Sequence, residues 1–582
     1  MRPAANFREN LALLYDRLEA EPLNPVWISL VARDVALKRA SEIETHPELP
    51  LAGMTFAVKD NFDVAGMVTT AGCSAYGYKA EVTATVVHRL EEEGALLIGK
   101  TNMDQFATGL VGTRSPYGAC SSVFDSRYIS GGSSSGSALA VAKKLVTFSL
   151  GTDTAGSGRV PAAFNGLIGL KPTRGILSAH GVVPACRSLD CVSIFASNCA
   201  EAHYVWRAAR GFDRADPFSR VPRAGEDAAP WLYSDFRFGV PAPDQLEFFG
   251  DDEAEALFRS EVDKLQKMGG EKVEIDFTPF REVASLLYGG AWVAERLAAI
   301  NDFVRDHAND MNPVVRGIIG GAEKLSAVDA FAGEYRLREL CAEANKQWRE
   351  MDVLVLPTTG TIYTHEQVAA DPVKLNTNLG YYTNFVNLMD LAAVAAPAGF
   401  RTNGMPFGIS FIGPAFADEA LLSLAHRHLG GTIPLVEESP GCVEVAVVGA
   451  HLSGEPLNHQ LTERGARLLK TCRTANDYRL YALTGTVPAK PGLVRDPTFR
   501  GSGIELEIWA IPIDRFGDFV AAIRAPLGIG TVRLDDGDEV KCFVCEPYAI
   551  PGATEITHFG GWRAYRAASK SSMAGIENSA IR

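Results

Sequence analysis

Two glycine-serine runs decide how this chain is read: Ser130-Gly131-Gly132-Ser133-Ser134-Ser135-Gly136-Ser137, and Gly151-Thr152-Asp153-Thr154-Ala155-Gly156-Ser157-Gly158-Arg159-Val160-Pro161. Each leads into a helical stretch, Ala138-Leu139-Ala140-Val141-Ala142 after the first and Arg159-Val160-Pro161-Ala162-Ala163 after the second. A flexible linker of the same composition would not run into a buried helix start. Small residues let a backbone approach a substrate carbonyl closely, and consecutive N–H groups around Thr154, Ala155 and Gly156 can make an oxyanion hole. The N-terminal end of the helix starting at Arg159 favours negative charge in the same place.

Working outward, Ala57-Val58-Lys59-Asp60-Asn61 sets a lysine between apolar and polar neighbours, a poor position for a surface side chain. A serine nucleophile needs a base, and a lysine serves once burial and neighbours lower its pKa. The Gly132–Gly136 segment also matches the Gly-x-Ser-x-Gly elbow centred on Ser134, but that elbow follows an apolar strand and Ser126–Ser130 makes a poor one. The three segments together read as an amide hydrolase that works without histidine.

Composition sets the bounds. The chain has 582 residues, 47% of them hydrophobic, enough for a large core. Its net charge of −14, from 56 basic against 70 acidic residues, argues against a nucleic-acid partner. Met1–Leu18 has helical spacing without an apolar signal core, and no run reaches the roughly 18 apolar residues of a membrane span. Ten cysteines in so long a chain suggest a reducing cytoplasm rather than a disulfide framework, and Cys542-x-x-Cys545 lacks a second pair for zinc. The chemistry calls for no metal or organic cofactor.

Strand-like runs at Thr55–Val58, Ala95–Ile98, Asp352–Pro357 and Gly408–Ile412 alternate with helical ones, among them Val82–Glu93, closed by Gly94, and Asp418–His428. This pattern predicts an α/β fold with helices on both faces of a central sheet. Thr432–Gly441 reads as a linker, which divides the chain into domains at 1–437 and 438–582. Strands at Val443–Val448, Tyr478–Thr486, Ile504–Pro512 and Val540–Val544, with a helix at Arg515–Ile523, predict a smaller α+β second domain.

The Lys59, Ser133 and Ser157 segments resemble, in order and spacing, the amidase signature family and its Ser–cis-Ser–Lys triad. The resemblance spans about Leu51 to Pro414 and implies a mixed sheet covered by helices. It implies Lys59 as the base, Ser133 as the bridging serine after a cis peptide bond, and Ser157 as the nucleophile. Gly99–Gly118 looks like the allophanate hydrolase branch, and Tyr288 and Arg296 match the pair with which that branch holds a substrate carboxylate. Eight residues apart, the two are expected on one face of one helix; the alternative for Arg296 is a solvated helix charge paired with Glu295 or Asp302.

The segments Val447–Asn458 and Thr557–Trp562 resemble the appendage of that branch, which is similar to the γ-glutamyl cyclotransferase-like fold. By resemblance the first domain releases ammonia from allophanate, and the second helps N-carboxycarbamate break down to carbon dioxide and ammonia. His451, at a strand end, is the candidate for that second step, or a hydrogen-bonded structural residue; Asn458 and Arg479 are possible helpers. The resemblance further implies urea or s-triazine breakdown, a pathway link to a biotin-dependent urea carboxylase, and a homodimer. Two alternatives stand beside it: a broad small-molecule amidase with a structural second domain, and the glutaminase component of a tRNA-dependent amidotransferase.

Overall fold

Short apolar strands, most of them buried along their whole length, line up into an eleven-stranded mixed sheet. The computed structural model describes residues 6–20, 25–222, 236–431 and 442–569. The strands Leu96–Thr101, Phe148–Asp153, Cys191–Ala196 and Pro406–Gly413 have every residue buried, as strands covered on both faces must. The period of two decides which layer each side chain meets. Phe56 and Val58 face a cluster with Val86, Val205, Phe258 and Leu421 from four helices. Ala57, between them, faces Leu11, Ala40 and Leu139 on the other side.

The site lies where two parallel strands end together. Thr55–Lys59 pairs in parallel with both Leu96–Thr101 and Phe148–Asp153, with Val58 opposite Leu150. Lys59 and the Thr152–Ser157 turn therefore leave the sheet at the same end, the end at which open α/β sheets bind ligands. The helix Ser135–Ala142 starts directly after Ser134 and is made of small and apolar residues, buried from Ser135 to Val141. It brings the first glycine-serine run to the same place.

Several boundaries move from those expected. The helix read from Val82 runs Thr85–Glu92, and Gly94 follows it with φ +92°, a conformation that glycine adopts without strain. The helix after Arg159 covers only Val160–Phe164, too short for its dipole to add much at the serine turn.

The chain divides into two units, Met1–Val221 with Ala228–Leu435 and Pro222–Asp227 with Val436–Arg582; the expected linker Thr432–Gly441 lies outside the described residues. In the second unit, Cys442–Val447 pairs antiparallel with Glu505–Pro512 and parallel with Glu539–Cys545, within a five-stranded sheet. The strand from Tyr478 stops at Ala482 rather than Thr486 and centres a separate three-stranded sheet. The helix Ile513–Ala521 starts earlier than expected, and its Phe519 packs into a core with Val447, Ile508 and Trp562. Among the described residues no helix is long and apolar enough to cross a membrane.

Candidate active site

Lys59 is the last residue of its strand, and its side chain is wholly buried. Its Nζ lies 2.7 Å from Ser133 Oγ and 2.8 Å from Thr152 Oγ1, and Ser133 Oγ lies 2.9 Å from Ser157 Oγ. One hydrogen-bonded line thus runs from the amine through one hydroxyl to the next. Loss of water around the amine pushes its pKa down to about 7; Asp104, Asp190 and Asp153 oppose the fall, and the charge of Arg296 adds to it. Both protonation states are then populated near neutrality. When Lys59 is charged it donates to Ser133, which donates to Ser157. When it is neutral both hydroxyls can turn round, so that Ser157 donates to Ser133 and Ser133 to Lys59.

Each serine lies in a loop that a buried aspartate braces. The Gly132–Ser133 peptide bond is cis, and Ser133 carbonyl accepts the Asp104 N–H at 3.0 Å. Asp104 in turn accepts the N–H groups of Gly112 and Arg114 at 3.0 and 2.8 Å. A Cβ on Gly132 would run into both Asp104 and the Gly112 backbone. Asp153 organises the second turn, accepting Gly156 N–H and Gly158 N–H at 2.9 Å each and pairing with Arg159 at 2.9 and 3.0 Å. Burial pushes the Asp153 carboxyl up, but Arg159 and these donors outweigh it and hold it below the ordinary value.

That network corrects one expectation. Gly156, at φ +137° and packed against Thr383, turns its N–H to Asp153 and not to a substrate oxygen. It leaves the oxyanion group, while Thr154 and Ala155 stay beside the Ser157 turn. The Thr154 hydroxyl is bound to Asp190, whose carboxyl is pushed up to about 6 by burial. Thr152, Asp153, Asp190 and Arg159 were not singled out by sequence reasoning. The available signals were an acid and an arginine inside the second serine run and an aspartate just before the all-buried strand Cys191–Ala196.

Tyr288 and Arg296 meet, but not on one helix. Tyr288 lies in the last turn of the helix Thr278–Gly289, and Arg296 lies on Trp292–His307, because Gly290 is extended and breaks the run. The bend brings Tyr288 OH to 3.3 Å from Arg296 Nη2, with the guanidinium carbon 5.2 Å from the ring centre. Arg296 is 2% exposed, which excludes the solvated-charge alternative. Glu295 accepts from Ser188 instead, and Asp302 pairs with Arg305. No carboxylate pairs with Arg296 among the described residues, and its Nε is buried without a partner. Cys186 ties this helix to the serine turn: its Sγ contacts Trp292 carbonyl at 3.5 Å, and its N–H donates to Asp190.

In the second unit, His451 lies in an apolar setting. Its ring stacks on Phe543 with centroids 4.8 Å apart, meets Phe519 edge-on, and its Nε2 lies 3.0 Å from Gln460 Oε1. Burial lowers its pKa, with Gln460 opposing. A cleft of about 20 Å³ opens beside it, lined also by Gly449, Lys490 and Leu527. Asn458 donates to the His451 carbonyl at 2.8 Å, so it holds the backbone and not the ring. Arg479 is committed to Asp496 and Glu555, at 2.8 and 2.9 Å.

Comparison with known proteins follows the same division. Residues 9–422 match the amidase family, and residues 443–567 match the allophanate hydrolase C-terminal domain. The chain is 43% identical over 586 residues to the urea amidolyase of Saccharomyces cerevisiae, covering 95% of this chain and 32% of that protein. It thus spans about a third of that relative. Kluyveromyces lactis allophanate hydrolase superposes with a TM-score of 0.73 at 43% identity, covering 97% of each chain. A native peptide amidase from Stenotrophomonas maltophilia superposes with a TM-score of 0.62 at 25% identity, covering 75% of this chain and 96% of that one. With its serine–serine–lysine line set at the end of a mixed sheet, the chain belongs to the amidase family and is an amidohydrolase that carries an allophanate hydrolase C-terminal domain.

Proposed function

We propose that this chain hydrolyses allophanate, with Ser157 as nucleophile, Ser133 as proton bridge and Lys59 as base. The observation that carries the substrate is Arg296, a buried guanidinium without a carboxylate partner among the described residues, whose charge is felt at Lys59. Burying an unpaired charge is costly, and a substrate carboxylate would supply the missing partner. Allophanate carries that carboxylate and a terminal amide in one small molecule.

With Lys59 neutral, Ser157 attacks the terminal amide carbon while its proton moves to Ser133 and that of Ser133 to Lys59. The N–H groups of Thr154, Ala155 and Ser157 are the donors available to the oxyanion. As the tetrahedral intermediate collapses, the relay returns a proton to the leaving nitrogen, and ammonia departs. Water attacks the acyl-enzyme by the same relay and releases N-carboxycarbamate. Residues 1–437 carry this reaction, and 438–582, with His451, assist the breakdown of that product to carbon dioxide and a second ammonia. The 43% identity to a urea amidolyase over a third of its length supports a link to urea carboxylation. The proposal extends to a cytoplasmic homodimer that degrades urea.

Ammonia release from allophanate, malonamate and a neutral aryl amide, for wild type and Arg296→Ala, tests the reading. The expected result is a preference for allophanate and a rise of about 100-fold in its KM in the variant, the scale of a lost charge-assisted pair. A preference for the neutral amide, indifferent to Arg296, would make the chain a broad amidase.

A further inference from the structure

Arg296 can hold an anion only if something holds Arg296, and the chain provides two neutral acceptors for the purpose, the hydroxyls of Tyr288 and Thr108. Arg296 Nη1 donates to Thr108 Oγ1 at 3.1 Å, across 188 residues of sequence. Thr108 is wholly buried, and its own hydroxyl proton is used on the Phe106 carbonyl at 3.1 Å. A hydroxyl has one proton, so the guanidinium faces the oxygen lone pairs and Thr108 can only accept.

The turn that aims this hydroxyl is strained. Phe106 and Ala107 both have positive φ, +50° and +51°, a region that non-glycine residues rarely occupy and that persists only where the surroundings impose it. Those surroundings are visible on both sides. Arg114 Nη1 donates to the Thr108 carbonyl at 3.0 Å, and Asn312 N–H donates to the Gln105 side chain at 2.7 Å. Asp104, which also holds the Ser133 loop, caps the start of the turn through Gly112 and Arg114. With Nη1 on Thr108 and Nη2 on Tyr288, the orphaned Nε is left for a ligand.

We infer that Thr108 is a positioning residue that sets selectivity for anionic amides by fixing the Arg296 guanidinium without neutralising it. A carboxylate at this position would hold the arginine as well but would cancel the charge that the substrate must meet. This inference rests on the carboxylate-binding reading of Arg296.

The test is steady-state kinetics on allophanate with Thr108→Val, which keeps the shape and removes the acceptor, and Thr108→Ser, which restores it. Thr108→Val is expected to raise KM for allophanate about 10-fold, with kcat changed less than about 2-fold, and Thr108→Ser to return KM to wild type. An unchanged KM in Thr108→Val, or a fall in kcat alone, overturns the inference. Should Thr108→Val fail to fold, as judged by its thermal midpoint, Thr108→Ala gives the same reading without a new contact. Arg296→Ala assayed alongside separates the two ideas. If it raises KM and Thr108→Val does not, only the role of Thr108 falls. If neither raises it, carboxylate binding at Arg296 falls as well.

Discussion

The surroundings of Lys59 and of His451 are opposite solutions to burying a basic side chain. Lys59 lies in a polar network in which every near neighbour is itself hydrogen-bonded: Ser133 to Ser157, Asp104 to two amides, Asp153 to two amides and Arg159. His451 is held by two aromatic rings and one glutamine. Both bases lose protons through desolvation, but only Lys59 has a hydroxyl relay to pass a proton along. A lowered pKa alone does not make a general base; a proton path to the reacting atom does. On this account the amide bond is broken in the first unit, whatever the second contributes.

The largest effect that could break this contrast is at Ser157, the proposed nucleophile. Ser157→Ala should lower ammonia release roughly ten-thousand-fold or more, and both ammonia equivalents should vanish together, since the second depends on the first. Gly132→Ala should follow closely, because its methyl group has no room between Asp104 and the Gly112 backbone. The variant is expected to lose several kcal/mol of stability and its activity, read as a fall in thermal midpoint.

Lys59→Met sharpens the contrast from the side of stability. The folded-state pKa of about 7 is below the ordinary 10.5, so folding expels a proton between those values. The burial cost is therefore absent above pH 10.5, grows as pH falls, and is full below about 7. Replacing the amine should therefore abolish activity while stabilising the fold at and below neutrality by about 1 to 3 kcal/mol, after the lost bonds to Ser133 and Thr152. The gain should shrink as pH rises in chemical denaturation series. His451→Asn should do least, leaving the first ammonia equivalent within about 2-fold of wild type and slowing only the second. A matching fall in the first would put His451 into the amide step.

The sequence displayed the first unit far better than the second, for a physical reason. Lys59, Ser133 and Ser157 lie in short, locally dictated turns whose glycines and serines carry their own signal, and the structure brings the three within 3 Å of one another in succession. The supporting residues are joined only by folding. Thr108 meets Arg296, and Asn387 meets Arg159, across gaps of 188 and 228 residues that no local pattern can express. Tyr288 and Arg296 show how periodicity misleads: eight residues fit two helical turns, but one extended Gly290 ends the first helix and begins a bend. The Gly156 amide departs from its expected direction because the Asp153 carboxylate, three residues earlier, accepts its N–H.

If a buried lysine, neutral near pH 7, drives serine attack through a second serine, the rate must follow the loss of its proton. The pH dependence of kcat/KM for malonamate, whose carboxylate stays ionised between about pH 5 and pH 9, tests it most directly. The rate is expected to climb with pH and level off, with its midpoint near 7, where Lys59 loses its proton. A flat profile across that window, or one that falls through neutrality, would contradict it.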